Sequence, residues 1–162
     1  MTADPGTLKL NLGAPIGLVN AAINVLSTHG YDTDRILAEC GIEGAQLNDI
    51  SNRVTTEQYY RFNRYLIDNT SIRGLGLLQG SEERLTDYGL IGYALLSSEN
   101  LRMALQIQDK YAPLAGPNYE YHTEVHDDHF AIVCRGIDAP LPTRWCVEGV
   151  LAAMAGAIRT CL

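Results

Sequence analysis

The sequence predicts an α+β domain: a helical N-terminal layer, then a β-hairpin or small antiparallel sheet covered by a C-terminal helix. Three observations predict it. Apolar residues recur at helical spacing from Ile16 to about Leu114. After Pro113 and Pro117 the period drops to two, with Tyr119, Tyr121, Thr123 and Val125 on one side and Glu120, His122, Glu124 and His126 on the other. Helical spacing then returns in Val147, Val150, Leu151, Met154, Ile158 and Leu162. At 162 residues and 46% apolar content, the chain has material for one domain around one sizeable core.

Met1 to Gly13 reads as a loose polar arm, although Leu8, Leu10 and Leu12 alternate as an edge strand would. Ile16, Val19, Ile23 and Leu26 predict a helix over 16–29, with Gly30 just past its end. His29 in its last turn has a capping role. A short second helix starts at Asp32 or Thr33, has Asp34 near its positive end, and stops at Gly41. A connection to Arg53 follows, pinned by Leu47 and Ile50.

Thr55 and Gln58 have capping-box spacing and open a helix to about Asn69, with Tyr59, Phe62 and Leu66 inward. The next apolar helix is predicted to be capped by Ser71 and stopped by Gly80. Its glycine-rich run lacks the G-x-x-x-x-G-K-[ST] spacing and follows no strand. The glycines therefore indicate close helix packing and not a phosphate cradle.

The stretch from Tyr88 to Tyr111 reads as two helices meeting at a serine corner. Leu90, Ile91, Tyr93, Ala94, Leu95 and Leu96 are apolar on nearly every side, which predicts burial all round. Ser98 is the expected N-cap of the following helix, whose inward face is Leu101, Ala104, Leu105 and Ala112. Asp127 and Asp128 mark a hairpin turn, and Phe130, Ile132 and Cys134 the return strand. Thr143 can cap the last helix, along which Gly149, Ala153, Gly156 and Ala157 form a small-residue strip, the expected contact of a two-fold dimer.

This central stretch resembles the signature region of N-terminal sensor domains of AraC-type transcription regulators. The resemblance is to the arabinose-binding-domain-like class that includes ornithine-utilisation regulators. Gly89, Gly92, Tyr93, Ser98, Leu101, Ala104, Leu105, Tyr111 and Leu114 fill the matching places, and the order of elements matches from about Asn20 to about Leu162. The resemblance implies a single effector-sensing and dimerising domain over 1–162, a small organic effector and a homodimer. It also implies DNA contact only through a C-terminal helix-turn-helix domain, which this chain does not contain; the chain is then expected to be a fragment.

Composition narrows the function classes independently. A net charge of −7 and a pI near 4.9, with no basic run, argue against a nucleic-acid grip by this segment. Cys40, Cys134, Cys146 and Cys161 show no C-x-x-C spacing and read as reduced thiols. No signal-peptide pattern or membrane-length apolar run is present, so the expected setting is the cytoplasm, with no membrane partner.

Chemistry is sparse. Glu120, His122, Glu124, His126 and His129 could chelate zinc or iron from one hairpin face, but polar alternation is what a wet antiparallel face shows in any case. No G-x-S-x-G or cysteine-nucleophile signature occurs, so no catalytic residue, cofactor or metal ligand is expected. The best site indication is aromatic: nine tyrosines and one tryptophan against two phenylalanines. Tyr93, Tyr119, Tyr121 and Trp145 are expected to converge on a small-molecule pocket, where Arg102 and Arg144 would pair with a ligand carboxylate. Two other classes stay open on the residues alone: a stand-alone metal or haem-type sensor, and a small enzyme acting from a tyrosine-rich pocket.

Overall fold

The computed structural model of the chain describes residues 12–117, 119–136 and 143–161. Its elements run β1 (Ala14–Pro15), α1 (Ile16–Thr28), α2 (Thr33–Cys40), a 3-10 turn (Gly44–Asn48), β2 (Arg53–Val54) and α3 (Thr56–Asn69). Then come α4 (Leu75–Glu82), a second 3-10 turn (Leu85–Tyr88), α5 (Leu90–Leu96), α6 (Leu101–Ala115), β3 (Tyr119–Val125), β4 (Phe130–Gly136) and α7 (Thr143–Cys161). The α+β class holds: a helical layer comes first, and the long hairpin precedes the last helix.

The local signals behave as their chemistry requires. The Asp32 carboxylate accepts from Arg35 N–H at 3.1 Å and opens α2, which Gly41 closes at φ 70°. Thr55 Oγ1 accepts from Gln58 N–H at 3.1 Å while Gln58 Oε1 accepts from Thr55 N–H at 2.9 Å, which completes the capping box of α3. His29 Nδ1 sits 2.8 Å from the Val25 carbonyl at the end of α1. In the β3–β4 hairpin Val125 opposes Phe130, and His126 N–H donates to the His129 carbonyl at 2.9 Å around Asp127 and Asp128. Asp109 of α6 accepts from both Thr123 N–H (2.9 Å) and Thr123 Oγ1 (3.0 Å), which ties the hairpin to the helical layer.

Ile16, Val19, Leu26, Val54, Phe62 and Leu66 form the centre of the larger core cluster. A smaller cluster joins Ile91 and Leu95 of α5 to Ala104 and Ala115 of α6. The edge pairing near the N-terminus uses Ala14–Pro15 against Arg53–Val54; Leu8 and Leu10 lie outside the described residues. Arg53 holds this corner by donating to the carbonyls of Leu12 (2.7 Å), Gly13 (3.0 Å) and Leu114 (2.9 Å).

Three expectations are corrected. First, α4 begins at Leu75, not near Ser71, because Gly74 at φ 68° turns the chain into it; Gly80 lies inside the helix and Glu83 caps it. Second, α5 is not buried all round. Leu90 is 89% exposed and Tyr93 and Leu96 share its outer side, while Ile91 and Leu95 face α6. A seven-residue helix packed on one side only keeps an outer face whatever its composition. Third, Asn100 is the N-cap of α6: its Oδ1 accepts from Met103 N–H at 3.0 Å. Ser98 Oγ instead donates back to the Ala94 carbonyl at 3.0 Å and finishes α5.

A candidate ligand pocket between α4 and α7

The crossing of α4 and α7 builds the pocket. A Cβ on Gly76 would meet the Trp145 carbonyl, with Glu148 Cβ at 3.3 Å. A Cβ on Gly80 would meet the Gly149 carbonyl, with Ala152 Cβ at 3.0 Å. The glycines that the sequence marks for close packing thus let α7 lie against the backbone of α4. Gly149 and Ala153, half of the small-residue strip on α7, are used in this crossing or buried beside it.

Beside the crossing lies a cavity of about 860 Å³, counting the space at its mouth, between α4, α5, α6 and α7. Leu18, Ile91, Leu95, Val150 and Met154 give apolar wall, and Tyr59 and Trp145 aromatic wall. Gln79, Glu83, Tyr88 and Gln108 supply polar groups.

The polar groups form a built arrangement. Gln79 and Glu83 stand one helical turn apart, so both reach the same side. Tyr88, at the end of the second 3-10 turn, donates its hydroxyl to Glu83 Oε2. The Gln79 side chain also hydrogen-bonds the Glu83 carboxylate. Gln79 is 4% exposed, and its Oε1 has no partner among the described residues; neither does the buried Trp145 Nε1.

Burial lifts the Glu83 carboxyl to about 7; the Tyr88 and Gln79 hydrogen bonds pull it down, and the nearby Asp87 charge adds a smaller upward push. Burial raises Asp87 too, against the Arg84 N–H that its Oδ2 accepts at 2.7 Å.

Of the residues singled out from the sequence, Trp145 lines this pocket. Tyr93 is on the outer side of α5, 54% exposed. The Arg102 guanidinium lies over the Phe130 ring, 5.3 Å from its centroid. Arg144 is at the surface, donating Nε–H to Glu148 Oε1 at 2.8 Å. The pocket does not gather these three. Tyr119 and Tyr121 are paired in β3 with Gly136 and Cys134, and their side chains lie outside the described ones. Sequence reading missed Gln79, Glu83 and Tyr88. The available signal was a glutamine in an otherwise apolar, glycine-rich helix, one turn before an acid.

Among the described residues the contacts of the hairpin histidines are local. His122 Nε2 and His126 Nε2 flank the Glu124 carboxylate at 3.4 and 3.6 Å, and His126 stacks on His129. Among the described residues no three His, Cys, Asp or Glu side chains are placed to hold a metal ion. Cys40 is a free thiol whose burial raises its pKa to about 11, which suits a core residue and not a nucleophile.

Residues 30–162 match the family described as the arabinose-binding domain of AraC transcription regulator, N-terminal. Over 116 residues the chain is 25% identical to the ornithine utilization regulator of Pseudomonas aeruginosa PAO1, an alignment covering 70% of this chain and 33% of that regulator. The chain thus spans about a third of the length of the curated relative it matches.

Proposed function

This chain belongs to the family of N-terminal arabinose-binding domains of AraC transcription regulators, a ligand-sensing regulatory class, and from that premise we propose that it takes one small organic effector into the α4–α7 pocket and conveys its presence to a separate DNA-binding domain. One observation carries the reading. A largely apolar cavity holds a carboxylate, a buried amide oxygen and a buried indole N–H, the last two without partners among the described residues. Polar groups left so in a native interior cost free energy, and a ligand that completes their hydrogen bonds recovers it.

The route outward is α7. It supplies Trp145, Val150, Met154 and Ala157 to the pocket wall while crossing α4 at the paired glycines. An effector that fits one setting of this crossing better than another shifts the population between them. The protein works here as a sensor and not as an enzyme. Among the described residues no helix is long and apolar enough to cross a membrane, and we place the sensor in the cytoplasm.

The expected homodimer stays part of the proposal. The sequence puts its contact on the small-residue strip of α7; since α4 already takes Gly149 of that strip, we assign the contact instead to the outer side of α5, where Leu90, Tyr93 and Leu96 are exposed.

Isothermal titration against a library of small metabolites tests the pocket, with Ala153→Phe as the control that fills it. Saturable one-to-one binding in the original chain, lost in a folded Ala153→Phe variant, is the expected result. Binding that survives the filled pocket sinks the assignment.

A further inference from the structure

We propose that the ligand of this pocket is an organic ammonium: a primary or secondary amine on a compact apolar body, its N–H groups received by the Glu83 carboxylate and the Gln79 carbonyl oxygen. The proposal rests on the pocket reading above and adds the chemical class.

Charge is the first argument. Among the described lining residues Glu83 is the one charged side chain, and no Lys or Arg accompanies it. The two arginines closest in the sequence to lining residues on α6 and α7 are engaged elsewhere, Arg102 over Phe130 and Arg144 with Glu148. A carboxylate or phosphate ligand would meet Glu83 as a like charge, with no cation in the described wall to offset it.

The hydrogen-bond inventory is the second. A carboxylate has about four acceptor positions, and Tyr88 and Gln79 supply two donors. Gln79 Oε1, in a residue only 4% exposed, adds an acceptor with no donor among the described residues. The site is therefore rich in acceptors that lack donors. An ammonium offers up to three donors and no acceptor, the complementary set. It also supplies the positive charge that a buried carboxylate lacks, which brings the carboxyl back toward its ordinary range.

The walls set the rest of the molecule. Leu18, Ile91, Leu95 and Met154 favour an apolar body, and the Trp145 ring offers a face attractive to a cation or an aromatic group. The Trp145 N–H, without a partner among the described residues, would donate to an ether, hydroxyl or carbonyl oxygen as the ligand's one further polar feature.

Trp145 is the only tryptophan in the chain and lines the pocket, so its fluorescence reads occupancy directly. Three probes of one shape separate the possibilities on the purified chain: 2-phenylethylamine, 2-phenylethanol and phenylacetate. At pH 8 the amine should bind about tenfold or more tightly than either companion. Glu83→Gln should weaken the amine by about 10–100-fold and leave the alcohol nearly unchanged.

An alcohol or acid that binds as tightly as the amine overturns the ammonium class. So does amine binding that is indifferent to Glu83→Gln. If those companions bind and Ala153→Phe blocks them, the pocket survives and only the class fails; if no probe binds, both readings fall. The three-probe comparison on the original chain decides the class even if the Glu83 variant does not fold.

Discussion

Gly80 of α4 lies directly against the backbone carbonyl of Gly149 on α7, with no room for a Cβ between them. Nothing flexible stands there to give way, because the opposing atom is main chain. Gly80→Val should therefore push the two helices apart and destabilise the fold by about 1–3 kcal/mol or more. Urea unfolding followed by circular dichroism measures it. A midpoint equal to that of the original chain would show that α7 does not pack as described.

Leu105 is 8% exposed on the inward side of α6 and borders a second, smaller cavity. Leu105→Ala should cost about 2–5 kcal/mol, since truncation enlarges a void that neighbours only partly fill. The same urea series reads it, and an unchanged midpoint would mean that the opposite face of α6 carries the packing.

Asn63 is fully buried in α3, and neither its Oδ1 nor its Nδ2 has a partner among the described residues. Replacing such a group with an apolar one of similar shape removes a desolvation cost without losing a bond. Asn63→Leu is expected to raise stability by about 1–2 kcal/mol. A lower melting temperature in this variant would reveal a hidden partner for the amide.

Glu83 gives the fold a pH dependence of known sign. Burial raises its folded pKa from 4.5 to about 7, so between those values the folded state holds a proton that the unfolded state has released. This group's contribution is most favourable below about 4.5, declines as pH rises through about 7, and then stays unfavourable. Asp87, raised mainly by burial, adds in the same direction. Glu83→Gln should be the more stable protein at pH 8, by on the order of 1–3 kcal/mol, with the advantage shrinking toward pH 5. Parallel stability curves for the two proteins across that range would contradict it.

Much of the fold was legible because its signals are local. Asp32, Thr55 with Gln58, and the alternation from Tyr119 onward each act within a few residues, and α2, α3 and the hairpin follow. What was not legible depends on contacts distant in sequence. An all-apolar heptamer such as Leu90–Leu96 does not declare which side its neighbours will cover; packing against α6 decided that. The N-cap of α6 turned on two competing polar side chains two residues apart, Ser98 and Asn100, both of a type that caps.

The site divides in the same way. Trp145 was singled out by its residue type and does line the pocket. Gln79, Glu83 and Tyr88 meet it only because Gly76 and Gly80 admit a helix from about seventy residues further along, a juxtaposition no local period encodes. Tyrosine richness did not give the positions: among the described residues the tyrosines of the wall are Tyr59 and Tyr88, and Tyr93 lies outside it.

Tyr88 packs against both core clusters, the large one built on α1 and α3 and the small one between α5 and α6. Its hydroxyl is fastened to Glu83. One phenol is thus a hinge pin common to two halves of the interior. Losing the Glu83 bond loosens a ring on which both halves lean, so its effect belongs to the cooperativity of the molecule as much as to its total stability. Tyr88→Phe should leave the halves in contact but less tightly geared, which calorimetry would register as a broader transition and a van't Hoff enthalpy below the calorimetric one. A transition as sharp as the original's would mean that the two clusters are held together by other contacts.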